Sequence, residues 1–92
     1  MKILVLGASG MLGSAIIRIL SENQNWKVLG TIRSDESRKF FDKKINENLV
    51  KVNNIIHSDN LFKIFQQIKP EIVINCISLG KELLKKSDPL MM

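Results

Sequence analysis

The sequence holds one cysteine, Cys76, one histidine, His57, and two prolines. A lone cysteine excludes an internal disulfide and a cysteine metal cluster, and a lone histidine leaves an imidazole metal site short of ligands. No apolar run approaches the roughly 20 residues of a membrane-spanning helix, so no membrane partner is expected. Residues 1–6 lack the charged-then-apolar plan of a signal peptide, because their short apolar run leads straight into Gly7. A cytoplasmic protein is expected. The net charge is +5, with no concentrated basic block, so no nucleic-acid partner is expected. With 92 residues, 45% of them apolar, the chain has material for one small folded domain.

The apolar residues alternate between two kinds of pattern. Residues 2–6 (KILVL), 27–32 (KVLGTI), 49–53 (LVKVN) and 72–77 (IVINCI) read as strands. The first and last are apolar at nearly every position, as in strands buried on both faces of a parallel sheet. Between them lie helical patterns. Leu12, Ile16, Ile19 and Leu20 are expected on one face of a first helix, which Asn23 and Asn25 end. Ser34 is the expected cap of a short second helix, with Asp35 and Glu36 in its positive first turn. Residues 42–48 read as a polar loop. Ser58 or Asp59 is expected to cap a third helix with the stripe Leu61, Ile64, Phe65, Ile68, stopped at Pro70. A fourth helix is expected over 80–86, before Pro89. The order β-α-β-α-β-α-β-α predicts an α/β fold, a parallel sheet with helices on both faces.

The stretch GASGMLG, residues 7–13, joins the first strand to the first helix. A strand in such a sheet delivers the chain to an edge where the next helix starts, with free N–H groups and its positive dipole end outward. A pyrophosphate fits there when no side chain intrudes. Gly7 permits the turn, Gly10 lets the backbone approach the phosphates, and Gly13 lets the helix lie close to the first strand. Ser9 adds a hydroxyl. The P-loop is excluded because no lysine follows Gly13, and the G-x-G-x-x-G form is absent because position 9 is serine. The first polar residue after KVLGTI is Arg33. An arginine there accommodates a 2′-phosphate, as in NADP, whereas an acid would favour NAD. Asp35, two residues on, is accounted for as a helix-start residue.

MKILVLGASGMLGSA, GTIRS and IKPEIVINCIS together resemble the amino-terminal half of an extended short-chain dehydrogenase/reductase. The resemblance is greatest to the dTDP-4-dehydrorhamnose reductase group of nucleotide-sugar reductases. It implies a Rossmann-like sheet in the order 3-2-1-4. It also implies an NADP cofactor, NAD being the other possibility, and a nucleotide-sugar substrate in a complete parent. By this resemblance Gly7, Ser9, Gly10, Met11, Leu12 and Gly13 match the pyrophosphate turn, and Arg33 the 2′-phosphate position. Asn54 falls where the family usually has an aspartate facing the adenine. Cys76, Ile77 and Ser78 match the segment lining the nicotinamide side, although a small buried apolar role explains Cys76 as well.

The family's catalytic Tyr-x-x-x-Lys is missing, since the sequence contains no tyrosine. The expectation is therefore a catalytically incomplete, truncated cofactor-binding portion, with no catalytic and no metal-binding residues of its own. A non-enzymatic dinucleotide-binding or regulatory module and a gene remnant are the alternatives. The fourth strand would then present an unpaired edge, through which self-association is expected.

Overall fold

The computed structural model describes residues 1–53, 55 and 57–77. Four strands form one sheet: β1 (Lys2–Leu6), β2 (Lys27–Ile32), β3 (Leu49–Lys51) and β4 (Ile72–Asn75). Every pairing is parallel and the order is β3-β2-β1-β4, as the alternating pattern and the resemblance lead one to expect. In register, Val5 lies beside Gly30 of β2 and Ile74 of β4.

β1 is the centre of the core because its side chains alternate between two buried layers. Ile3 and Val5 pack with Ile17, Val28, Ile32, Phe41, Ile45 and Leu49 on one face. Leu4 and Leu6 pack with Val52, Ile55, Ile64 and Ile68 on the other. Each such large aliphatic side chain contributes about 1.5–3 kcal/mol by burial. Helix α1 (Met11–Leu20), the one-turn α2 (Lys43–Asn46) and Phe41, the cap of a 3-10 helix (Asp35–Phe40), supply the first layer, and α3 (Ser58–Ile68) covers the second.

The structure corrects several expectations. The buried face of α1 is carried by Gly13 and Ile17, with Ile16 and Leu20 at its margin, whereas Leu12 and Ile19 are exposed. Leu20, not the Asn23–Asn25 segment, is the last residue of α1, and Ser21 caps it. The second helix is of the 3-10 kind, with the expected Ser34 cap accepting from the Glu36 N–H. Residues 43–46 are helical rather than loop, because Asp42 accepts from the Ile45 N–H and Ile45 is drawn into the core. The α3 cap is His57, whose Nδ1 accepts from the Asp59 N–H at 3.3 Å. Lys69 ends α3 in the left-handed conformation at φ 53°, as the following Pro70 disfavours another right-handed helical residue.

β3 and β4 are shorter than expected, and β4 is not buried on both faces. Ile72 and Val73 are each 41% exposed, since among the described residues β4 pairs only with β1. The fourth helix expected over 80–86 lies outside the described residues. Among those described, no helix is long and apolar enough to cross a membrane, and no cluster of metal-ligating side chains occurs.

Candidate functional site

β1 ends at Leu6, and three residues separate the Gly7 corner from the start of α1 at Met11. The cap position, Gly10, has extended backbone (φ −75°, ψ 169°) and offers no side-chain cap, and the first helical turn carries no acid. The Ser14 N–H reaches the Gly10 carbonyl at 2.8 Å, so the N–H groups of Met11, Leu12 and Gly13 precede the intrahelical ladder and have no acceptor within the helix. The positive end of α1 is open to an anion.

The three glycines are there for three different reasons. Gly7 has φ +79°, and a Cβ on it would come within 3.0 Å of the Cys76 carbonyl oxygen and 3.1 Å of the Ile77 Cα. Both the conformation and the neighbour exclude a side chain. Gly13 is buried, and a Cβ on it would overlap the Gly7 carbonyl. Gly10 is unlike both. Its backbone suits any residue, and a Cβ would meet only the Gly7 oxygen, at 3.6 Å. Nothing in the protein's own packing requires glycine at position 10.

Beside the turn is a cleft of about 260 Å³. Gly7, Ser9 and Gly10 form one wall, Thr31 and Arg33 follow from β2, Val52, Asn53 and Ile55 come from beyond β3, and Cys76 and Ile77 from beyond β4. The cleft thus lies past the carboxyl ends of all four strands, where the order turns from β2 through β1 to β4. This is the position at which open α/β sheets bind ligands.

Charge is distributed unevenly around it. Arg33 is exposed and, among the described residues, forms no ion pair. Asp35 is engaged elsewhere: its carboxylate accepts from Arg38 Nε at 2.9 Å and lies 3.6 Å from Lys51 Nζ. The Arg38 hydrogen bond, helped by Lys51, holds the Asp35 carboxyl below its usual range. Arg38 is fixed in turn, donating to the Asn46 and Leu49 carbonyls. The carboxylate nearest Arg33 in sequence is therefore already satisfied, while the guanidinium at the cleft is not.

Of the residues singled out from sequence, the cleft brings together Gly7, Ser9, Gly10, Arg33, Cys76 and Ile77. Met11 and Leu12 do not line it. Their side chains are 93% and 62% exposed, and what they offer is backbone N–H. Gly13 serves by packing. Asn54 and Ser78 lie outside the described residues. Cys76 supplies main chain: its N–H donates to the Leu6 carbonyl at 2.9 Å, and its carbonyl abuts Gly7. Desolvation pushes its thiol pKa up. His57 is occupied as the α3 cap. Sequence reasoning missed Thr31, Val52, Asn53 and Ile55. Only Thr31 carried a signal, being a hydroxyl within a strand that is otherwise apolar or glycine after Lys27.

The sequence model of the NAD dependent epimerase/dehydratase family matches residues 3–91, which include the glycine turn and all four strands but for Lys2, the first residue of β1. The chain belongs to the NAD-dependent epimerase/dehydratase family. Comparison with curated proteins found no match. Membership implies a nicotinamide dinucleotide as cofactor, and the residues fit one. The uncapped start of α1 suits a pyrophosphate, and the open space at Gly10 is the approach a phosphate needs. The N–H groups at the start of α1 would hold the pyrophosphate of such a cofactor, and apolar Val52, Ile55 and Ile77 flank the cleft.

Proposed function

We propose that the chain is the NADP-binding portion of a nucleotide-sugar reductase of the dTDP-4-dehydrorhamnose reductase type. The observation that carries the cofactor choice is the contrast between Arg33, free at the cleft, and Asp35, taken up by Arg38 and Lys51. A guanidinium forms bidentate, charge-assisted hydrogen bonds with a phosphate. In this reading Gly7–Gly13 hold the pyrophosphate, Arg33 takes the 2′-phosphate, Asn54 faces the adenine, and Cys76, Ile77 and Ser78 line the nicotinamide side. The bound dinucleotide supplies hydride chemistry. The nucleotide-sugar part of the proposal rests on the resemblance of GTIRS and IKPEIVINCIS to that group.

The sequence has no tyrosine and hence no tyrosine hydroxyl to protonate a substrate oxygen. General acid catalysis is worth about 10²–10⁴-fold, so the chain by itself is expected to bind dinucleotide without turning it over. That same feature favours a second reading, a non-enzymatic dinucleotide-binding module. Titration of the chain with NADP⁺ and NAD⁺ at fixed ionic strength should give tighter binding of NADP⁺; equal affinities remove the NADP assignment. Protein-dependent oxidation of NADPH with a nucleotide 4-keto sugar would show that the chain is not catalytically incomplete. A Tyr-x-x-x-Lys motif in the reading frame past residue 92 favours the reductase over the module.

A further inference from the structure

Among the described residues Thr31 is the one buried polar residue, 2% exposed. It makes two contacts with the glycine turn. Its Oγ1 accepts from the Gly7 N–H at 2.9 Å, and its main-chain carbonyl accepts from the Ala8 N–H at 2.8 Å. The residue register between β1 and β2 ends at Val5 and Gly30. Beyond it the β1 chain turns away through Gly7, and the Thr31 side chain takes over as acceptor where the ladder gives out. Two residues later on the same segment stands Arg33.

We propose that Thr31 is the positioning residue of the anion-binding turn. Its hydroxyl holds the Gly7 amide in the left-handed corner and ties that corner to the strand that carries Arg33. The inference rests on the dinucleotide-binding reading above and adds a residue to it. Packing alone does not account for a hydroxyl here. Valine has nearly the same shape and suits a buried strand at least as well; what it lacks is the acceptor. Without that acceptor the part-buried Gly7 N–H beside the cleft loses its protein partner, and an unmade hydrogen bond at such a donor is costly. The corner relaxes toward water, and the N–H groups of the first helical turn lose their alignment.

The test compares the full chain with Thr31→Val, Thr31→Ser and Thr31→Ala. Thr31→Val should bind NADP⁺ and NAD⁺ each about tenfold more weakly, the loss of one hydrogen bond's worth of positioning, because the pyrophosphate is common to both. Thr31→Ser should bind like the wild type. In the ligand-free chain, the Gly7 amide should exchange with solvent faster in Thr31→Val than in Thr31→Ser, by nuclear magnetic resonance. If Thr31→Val fails to fold, serine against alanine decides, since both lose the methyl group and only alanine loses the acceptor. Equal affinities for that pair, or an unchanged Gly7 exchange rate in Thr31→Val or Thr31→Ala, overturn the inference. A wild type that binds neither dinucleotide overturns the function proposed above, while the exchange comparison still judges whether Thr31 holds the corner.

Discussion

The two ends of the cleft are built in opposite ways. The glycine turn is made by the core: Gly13 fits under the Gly7 carbonyl, Gly7 fits against Cys76, and Thr31 holds the corner from below. The Arg33 end is a single exposed side chain beyond the last residue of β2. A buried turn cannot change without disturbing the sheet, while an exposed arginine is replaceable at little cost to folding. The difference separates two questions. Packing accounts for the turn, and in the reading proposed above one surface charge is left to select among dinucleotides.

The largest effect expected is at Gly13. A Cβ there overlaps the Gly7 carbonyl, which is backbone and cannot swing aside. Gly13→Val should cost about 3 kcal/mol, the upper end for overpacking, and lower the melting temperature by roughly 4–8 °C for each kcal/mol in a domain this small. A thermal melt checks it. Wild-type stability in Gly13→Val would mean that α1 does not pack on the turn as described.

Next is Arg33. Its loss should leave melting unchanged and act on one ligand only. A hydrogen bond to a charged group contributes about 1.5–3 kcal/mol, so Arg33→Ala should weaken NADP⁺ by roughly 10- to 150-fold and leave NAD⁺ nearly untouched. Arg33→Asp should reverse the preference, since a carboxylate repels the phosphate and accepts from a free 2′-hydroxyl. Titration with both dinucleotides reads this directly, and equal losses for the two would reduce Arg33 to a surface charge.

The contrast also marks what was legible in the sequence. The strands, their order and the turn follow from local pattern: KILVL is apolar at every position after Lys2, and glycines stand where a strand gives way to a helix. The face of α1 was not legible in the same way. Apolar residues occupy 11, 12, 15, 16, 17, 19 and 20, so periodicity admits more than one face. The choice is made by Gly13, which must lie against the Gly7 carbonyl and so turns Ile17 inward and Leu12 and Ile19 outward. A hydrophobic stripe gives a glycine no weight. Helix α2 was hidden because one turn with a single buried residue has no period. Thr31 was hidden because its partner is 24 residues away, and no local rule connects a strand hydroxyl to a distant amide.

Gly10 should give a smaller effect, on binding rather than on folding. Its backbone conformation is open to any residue and no atom obstructs a Cβ. Gly10→Ala should therefore leave stability nearly unchanged, the reduced freedom of the unfolded state offsetting alanine's poor suitability at a helix N-cap. It should nonetheless weaken NADP⁺ and NAD⁺ alike, by about tenfold if the methyl lengthens one charge-assisted hydrogen bond. Unchanged affinity for both in a folded Gly10→Ala variant would place the phosphates elsewhere.

The smallest effect is expected at Asp35, and it sharpens the contrast between a fixed and a free side chain. Asp35 is 62% exposed at its side chain, and surface ion pairs contribute little. Its folded pKa is lowered, first by the Arg38 hydrogen bond and then by Lys51. A lowered folded pKa means the ionised form is favoured in the native state, so the pair stabilises above the ordinary carboxylate value of 3.8 and is lost as pH falls through the lower folded value. Asp35→Asn should thus melt slightly below the wild type at neutral pH, and the gap should close on acidification below that range and with added salt. Its dinucleotide preference should not move, because the carboxylate is held by Arg38 and Lys51 rather than offered to a ribose. Melting curves across pH, paired with both titrations, separate the possibilities. A loss of NAD⁺ affinity alone in Asp35→Asn would show the carboxylate serving the 2′-hydroxyl, and the selecting residue would then be Asp35 rather than Arg33.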